Sequence, residues 1–318
     1  MATHKTAWLF PGQGSQTVGM GRELCRDFAP ADQILDLAAG MSGLPLKQYC
    51  WQGPDETLSR TDILQPALNA VSLGCVALLQ NAGYRPDIVA GHSLGEFPAL
   101  HAAGVLSAED SLKLVIERGR LMMAAAEAAP GTMTAVKKLT ADDVEQIVQA
   151  AQAHGRVVVA NYNSPAQIVL SGEVAALAEA EKLVIARGGE PVRLRVSGAW
   201  HSPLMEKAAA SFRSVIEQVP FRRPTSGIYL NTKGAPETDP EAIRESLCRQ
   251  ITSPVFWVQS VQGMIAEGVR SFVEVGPGKV LRGLLRQIWP DEKAYTVRGV
   301  DRPKSLENLA LDRVRQEA

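Results

Sequence analysis

The hydrophobic positions of this chain follow two rhythms. Short apolar bursts of strand length are separated by longer stretches whose apolar residues recur at the helical period. Thr6-Ala7-Trp8-Leu9-Phe10 is such a burst and stops at Pro11-Gly12. Ala67 to Ala82 reads as an apolar helix closed by Gly83, and Ile88-Val89-Ala90 as the next strand. A further helix is predicted from a cap at Ser107, with Asp110 placed to reciprocate, to Ala126. Ser271-Phe272-Val273-Glu274-Val275 is a strand broken by Gly276-Pro277-Gly278, and a helix over Val280 to Ile288 follows. Short apolar strands joined by helices predict an α/β fold, a mostly parallel sheet covered by helices on both faces.

The middle of the chain is patterned differently. Thr132-Met133-Thr134-Ala135-Val136 reads as a strand, and Thr140 caps a helix over Ala141 to Ala153. Val157-Val158-Val159-Ala160 and Gln167-Ile168-Val169-Leu170-Ser171 are strands on either side of a turn at Asn163-Ser164-Pro165. Ala175 to Arg187 is a helix closed by Gly188-Gly189, and Pro191 to Val196 is a last strand. The order β-α-β-β-α-β is the split βαβ pattern. It predicts a ferredoxin-like insert over residues 130–197, carried by a discontinuous α/β domain of residues 1–129 and 198–318. The Ala-rich stretch 124–129 reads as a helix end.

Composition narrows the function classes. The 318 residues, 46% of them hydrophobic, suffice for a large domain bearing a smaller one. A net charge of -1 gives no footprint for nucleic acid or an anionic membrane, so neither is expected as a partner. Met1-Ala2-Thr3-His4-Lys5-Thr6 lacks the apolar run and cleavage site of a secretory signal. No stretch approaches the ~20 uninterrupted apolar residues of a membrane span. Cys25, Cys50, Cys75 and Cys248 are scattered without a C-x-x-C pair, so no metal is expected. Idle thiols fit a cytoplasmic setting. Oxygen and nitrogen chemistry is left.

Gly91-His92-Ser93-Leu94-Gly95 supplies it. The pentapeptide stands between the strand Asp87-Ile88-Val89-Ala90 and the helical run Glu96 to Gly104. Strand, G-x-S-x-G, helix is the context of a nucleophile elbow, with a plain Gly-rich loop as the alternative. Ser93 then needs a base. His4 lies in the leading tail, His154 at a helix end, and His101 too far down the helix after the elbow. His92 diverges from its neighbour at the turn and suits packing or hydrogen bonding near the site. His201, in Ser197-Gly198-Ala199-Trp200-His201-Ser202-Pro203-Leu204-Met205, follows the last strand of the insert, where the chain re-enters the large domain. A base there, or a loop histidine with local hydrogen bonds, are the two readings. No acid between Ser93 and His201 stands out as a third triad member, because Asp142, Asp143 and Glu145 open a helix of the insert.

Two further features bear on the substrate. Phe10-Pro11-Gly12-Gln13-Gly14-Ser15-Gln16 is a Gly-rich turn after the first strand. It lacks the lysine and spacing of a P-loop, which leaves an oxyanion donor or a plain strand-to-helix turn. Arg118 shares a helix face with Leu114, Val115, Leu121 and Met122, whereas Arg120 falls on the polar side. A guanidinium on an apolar stripe needs a partner, either a protein carboxylate or a carboxylate borne by the substrate.

Together these segments resemble the malonyl-CoA:acyl carrier protein transacylases of fatty acid synthesis and the kindred acyltransferase domains of polyketide synthases. The likeness extends over nearly the whole chain. Besides the segments around Gly12, Ser93 and His201, it rests on Glu117-Arg118-Gly119-Arg120-Leu121-Met122, Asn161-Tyr162-Asn163-Ser164-Pro165, Arg249-Gln250-Ile251-Thr252-Ser253-Pro254-Val255 and Glu274-Val275-Gly276-Pro277-Gly278. It implies a hydrolase-like α/β domain with a ferredoxin-like insert. It implies Ser93 as the acylated nucleophile, His201 as its base, and Gln250 as the residue whose backbone carbonyl orients His201. Backbone N–H groups of Gln13 and Leu94 would form the oxyanion hole, and Arg118 would hold the malonyl carboxylate. His92, Met122, Asn161 and Asn163 would be secondary site positions. Two departures stand out. Trp200 occupies the place usually held by Phe in malonyl-selective members and by Ser in methylmalonyl-selective ones, and Phe97-Pro98 replaces the usual Tyr-Ser.

The implied reaction carries malonyl from malonyl-CoA through a seryl ester to the phosphopantetheine thiol of an acyl carrier protein. No bound cofactor and a monomeric enzyme are expected. The rival readings are a serine acyl hydrolase, a non-catalytic scaffold for carrier protein, and a free-standing acyltransferase serving a polyketide synthase or a malonate decarboxylase. Lys279, Arg282 and Arg286 share a helix face and are candidates for docking the acidic carrier protein, with a solvated helix face as the alternative.

Overall fold

The first two apolar bursts become the two central strands of the main sheet. The computed structural model describes residues 4–310, so Met1, Ala2 and Thr3 of the leading tail lie outside the described residues. Ten strands are numbered in chain order: β1 (Lys5–Phe10), β2 (Ile88–Gly91), β3 (Thr132–Lys137), β4 (Val157–Ser164), β5 (Gln167–Gly172), β6 (Glu190–Arg193), β7 (Gly227–Leu230), β8 (Ala235–Glu237), β9 (Val269–Val275) and β10 (Thr296–Val300). The main sheet has the order β10-β9-β1-β2-β7-β8 and is parallel except for the edge strand β8. Central parallel strands are covered on both faces, which is why Ala7, Trp8, Leu9 and Phe10 are all buried and show no alternation.

One face of the sheet is covered by the helices Thr61–Asn81 and Ala108–Ala128, which pack together in the largest apolar cluster. The first begins six residues before the Ala67 expected from sequence and carries Pro66 inside it. Burial of Ile63 and Leu64 sustains the turns that precede the proline. Among the described residues this helix alone is long and apolar enough to cross a membrane, but 89% of its most apolar window is buried in the fold. Ser107 caps the second helix by accepting from the Asp110 N–H at 3.0 Å. The opposite face carries the helices Trp257–Ala266 and Val280–Ile288 over a second cluster that includes Trp257, Phe272 and Leu285.

The middle segment forms a separate antiparallel sheet of order β4-β5-β3-β6. The helices Ala141–Ala151 and Val174–Ala186 bury Val144, Ile147, Leu177 and Val184 against one face, which completes the ferredoxin-like pattern. Residues of alternate parity turn the other way. Met133, Ala135 and Val169 thus join the main cluster.

Two expectations for this region are corrected. Asn163 and Ser164 are not turn residues, because β4 continues to Ser164 through two register shifts. Bulges let asparagines that read as turn formers lie in a strand. The last strand ends at Arg193 rather than Val196; Leu194 still donates to the Met133 carbonyl at 2.9 Å before the chain leaves the sheet. Strand β4 is also tied to the main body, since Tyr162 N donates to Val255 O at 2.9 Å and Val255 N to Ala160 O at 2.8 Å. The Ser164 hydroxyl adds a 2.6 Å bond to Gln287.

Candidate active site

Ser93 sits at the end of β2, in a single 3-10 turn (Ser93–Gly95) that leads into the helix Glu96–Ala102. Its φ of 52° lies in the left-handed region, a strained conformation for a residue with a side chain. The strain is held by contacts that only glycine permits on either side. A Cβ on Gly91 would strike the Gly95 carbonyl, and one on Gly95 would strike the Phe10 carbonyl. Asn231, just beyond β7, clamps the same turn. Its Oδ1 accepts from Ser93 N at 2.6 Å and its Nδ2 donates to Gly91 O at 2.6 Å. Pro98 falls in the first turn of the helix, where a missing N–H leaves no intrahelical bond unmade.

His201 meets this elbow from the far end of the insert. It too has a positive φ, 58°. Its Nε2 lies 2.8 Å from Ser93 Oγ, and its Nδ1 lies 3.0 Å from the carbonyl oxygens of both Gln250 and Ser253. Two acceptors around Nδ1 fix the proton there, so Nε2 is the free base that accepts from the serine hydroxyl. Among the described residues no carboxylate takes the orienting place. Burial pushes the imidazole down to about 3, and the nearby Arg118 charge acts in the same direction. The ring is therefore neutral at neutral pH.

Arg118 approaches the serine from the helix Ala108–Ala128. The side chain is 1% exposed. Nη2 donates to Ser93 Oγ at 3.0 Å and to Gln250 Oε1 at 2.9 Å, and Nη1 donates to Gln65 Oε1 at 2.8 Å. The Nε is buried without a hydrogen-bond partner. Among the described residues no carboxylate lies within ion-pair distance of this guanidinium. Of the two partners open from sequence, the protein carboxylate is thus absent from its contacts. Burial pushes the group down to about 9, partly offset by the charge of Glu96, so it stays cationic at neutral pH. Glu96 is itself buried. It accepts from Asn231 N at 2.7 Å and from the Gln250 side-chain amide, and burial pushes its carboxyl up to about 7.

These groups surround a narrow cavity of about 130 Å³. Ser93, His201 and Arg118 line it together with Gln13 and Leu94. The secondary positions are brought to the same space: Trp200, Met122, His92, Asn161 and Asn163 line it, beside Gln65 and apolar residues of the insert such as Met133 and Val169. His92 Nε2 donates to Asn163 Oδ1 at 2.7 Å and its ring packs near Trp257, so it braces the small sheet against the elbow. The indole Nε1 of Trp200 is buried without a partner. Gln250 stands behind the cavity. A wider vestibule of about 490 Å³ shares Gln13, His92 and Asn163 with it and opens past Arg195 and Val280. His101 bonds to the Leu106 carbonyl and His154 is exposed, both away from the site.

Of the three cations expected on the helix Val280–Ile288, Arg282 bonds the buried Glu274 at 2.9 Å, Arg286 is exposed and pairs with Glu292 at 2.9 Å, and Lys279 is exposed. The Glu274 carboxylate also accepts from Leu281 N at 2.9 Å, so this acid of the Gly-Pro-Gly segment caps a helix. Sequence reasoning missed Gln65, Asn231 and Ser253. Gln65 left no signal of its own, because it precedes the apolar run read from Ala67 and meets Arg118 only through the tertiary fold.

Comparison with known proteins agrees with this geometry. Residues 7–306 match the family model described as an acyl transferase domain. The chain is 36% identical over 315 residues, 98% of both chains, to the malonyl CoA-acyl carrier protein transacylase of Bacillus subtilis. The crystal structure of the transacylase from Xanthomonas oryzae pv. oryzae superposes with a TM-score of 0.91 at 38% identity, covering 98% of this chain and 99% of that one. A malonyl-transacylase solved with a type II polyketide synthase acyl-carrier protein superposes with a TM-score of 0.89 at 34% identity, covering 95% and 97%. The chain belongs to the acyl transferase domain family, among the malonyl CoA-acyl carrier protein transacylases.

Proposed function

We propose that this enzyme transfers malonyl from malonyl-CoA to the phosphopantetheine thiol of an acyl carrier protein, supplying fatty acid synthesis. The observation that carries the substrate choice is the buried Arg118, which has no carboxylate within ion-pair distance among the described residues and reaches the Ser93 hydroxyl at 3.0 Å. An acyl group bearing its own carboxylate supplies the counterion there, bound bidentately by the planar guanidinium. An acetyl group leaves that cation buried and unpaired.

The reaction runs in two half-steps. His201 Nε2 takes the Ser93 proton as Oγ attacks the thioester carbonyl. The tetrahedral oxyanion is held by the backbone N–H groups of Gln13 and Leu94, each such donor being worth ~3 kcal/mol. The C–S bond breaks, His201 returns its proton to the sulfur, and coenzyme A leaves a malonyl-seryl ester. The carrier-protein thiol then gives its proton to His201 and attacks the ester, which restores Ser93. As written, the chemistry needs no cofactor beyond its two substrates. The carbonyls of Gln250 and Ser253 do the orienting work of a triad acid. This supports the transferase over the acyl hydrolase, whose reading expected an acidic third member.

Residues 130–197 serve in this proposal as a subdomain that walls the cavity opposite the elbow, with Asn161 and Asn163 on its strand β4. Trp200 excludes an α-methyl group by bulk. The vestibule, with the exposed Lys279 beside Val280, receives the carrier protein's arm. One chain contains every residue named, which supports a monomer, and four buried free thiols support a cytoplasmic setting. The test is incubation with acetyl-, malonyl- and methylmalonyl-CoA, reading intact mass and then transfer to carrier protein. A malonyl adduct on Ser93 that is passed to the thiol is expected. Rapid release of malonate to water instead would overturn the transferase assignment.

A further inference from the structure

The polar contacts behind the cavity form one directed chain. Asn231 N donates to one oxygen of Glu96, and the Gln250 side-chain Nε2 donates to the other. The same Nε2 donates to the Ser93 carbonyl at 2.9 Å. Gln250 Oε1 then accepts from Arg118 Nη2, which also reaches Ser93 Oγ. An amide has a donor end and an acceptor end, and which end faces which neighbour decides whether Arg118 finds an acceptor or a second donor. The Ser93 carbonyl and the Glu96 carboxylate both accept, so the amide is oriented with its oxygen toward the guanidinium. Glu96 is 1% exposed, within a helix of which it is the first residue, and the transfer mechanism makes no use of it.

We propose that Glu96 is a positioning residue for substrate selection: through the Gln250 amide, it aims Arg118 at the acyl end of the cavity. The arrangement solves a problem of charge. A carboxylate placed directly on Arg118 would neutralise it and occupy the atoms that a malonyl carboxylate needs. Set one amide away, Glu96 balances the buried cation electrostatically, while only neutral groups, the amide oxygens of Gln65 and Gln250 and the Ser93 hydroxyl, touch its fork, and a substrate carboxylate competes with these rather than with another anion. The clamp also ties the two halves of the machinery, because Gln250 presents its backbone carbonyl to His201 while its side chain serves Arg118.

The inference rests on the malonyl-transfer reading, and the test separates the two. Glu96→Gln keeps size and shape but gives position 96 a donor, so the Gln250 amide can reverse and turn its NH₂ toward Arg118. Expected is a fall in kcat/KM for malonyl-CoA of about ten-fold or more, expressed mainly in KM, with acetyl-CoA changed by less than about three-fold. Glu96→Asp keeps the acceptor chemistry and is expected to recover part of the malonyl preference. Equal losses for both acyl groups, or an unchanged malonyl-to-acetyl ratio in folded Glu96→Gln, would overturn the inference. If Glu96→Gln does not fold, Gln250→Leu serves in its place: it keeps the carbonyl for His201, removes the amide, and is expected to lower the malonyl-to-acetyl ratio. An unchanged ratio there overturns the inference as well. Absence of any malonyl-seryl ester in the wild-type enzyme would instead defeat the transfer reading beneath it.

Discussion

The two ends of the cavity are built by different means. The Ser93–His201 end is made by backbone: both residues sit at positive φ, glycines permit the close packing of the elbow, and main-chain carbonyls orient the imidazole. The Arg118 end is made by side chains from separate segments, Gln65, Glu96 and Gln250, joined only by hydrogen bonds. Backbone geometry is specified locally and resists change. A side-chain relay is specified at a distance and can be retuned one residue at a time. Reactivity and selectivity therefore meet at Gln250 but rest mainly on different supports, and they are expected to fail largely separately.

The largest effect is expected at the backbone-built end. Ser93→Ala removes the nucleophile and should lower transfer roughly ten-thousand-fold or more for every acyl-CoA, with no ester detectable by mass. An adduct that persists in this variant would move the chemistry to another residue. Arg118→Ala should break the symmetry between substrates. Malonyl transfer is expected to fall about a hundred-fold, roughly 3 kcal/mol, and acetyl transfer by far less. Equal losses would erase the distinction between the two ends. Gly95→Ala tests the opposite pattern. Its Cβ must displace the Phe10 carbonyl, so a destabilisation of ~1–3 kcal/mol and a loss of about ten-fold shared by both acyl groups are expected. Thermal melting and the acetyl-to-malonyl ratio read the two quantities directly.

Smaller effects sharpen the picture. Trp200→Phe widens the wall by a few atoms and is expected to raise methylmalonyl transfer about ten-fold while malonyl changes little. The pH profile for acetyl-CoA, which does not draw on the Glu96 relay, should move least. A general base must be unprotonated, and the His201 imidazole is held well below its ordinary 6.5 by burial and by Arg118. Lowering the pH from 7.5 to 6.0 should thus leave kcat/KM for acetyl-CoA within about two-fold. An acid limb at or above the ordinary histidine value would mean that water or an anion reaches the ring.

What the sequence disclosed follows the same division. The elbow was legible because its strand, glycines, serine and helix are contiguous. The ferredoxin-like insert was legible because each element has its own apolar period and end signal. Arg118 stood out because a cation on an apolar stripe is rare. The bulged end of β4 was read as a turn, because asparagine and proline signal both and only cross-strand pairing tells them apart. Asn231 and Ser253 left no trace. One is a single polar residue after a short strand and the other acts through its carbonyl, which every residue possesses. Arg282 seemed available until the fold brought the buried Glu274 against it.

The hydrogen bonds that join β4 to Val255 have a mechanical consequence. Val255 lies two residues past Ser253, so the segment that steers the imidazole is stitched to the strand bearing the two asparagines. A swing of the smaller lobe would pull on that stitch and tilt the ring away from the serine. The smaller lobe and the imidazole are therefore mechanically coupled: what disturbs the seam at Val255 is felt at the base as well as at the wall.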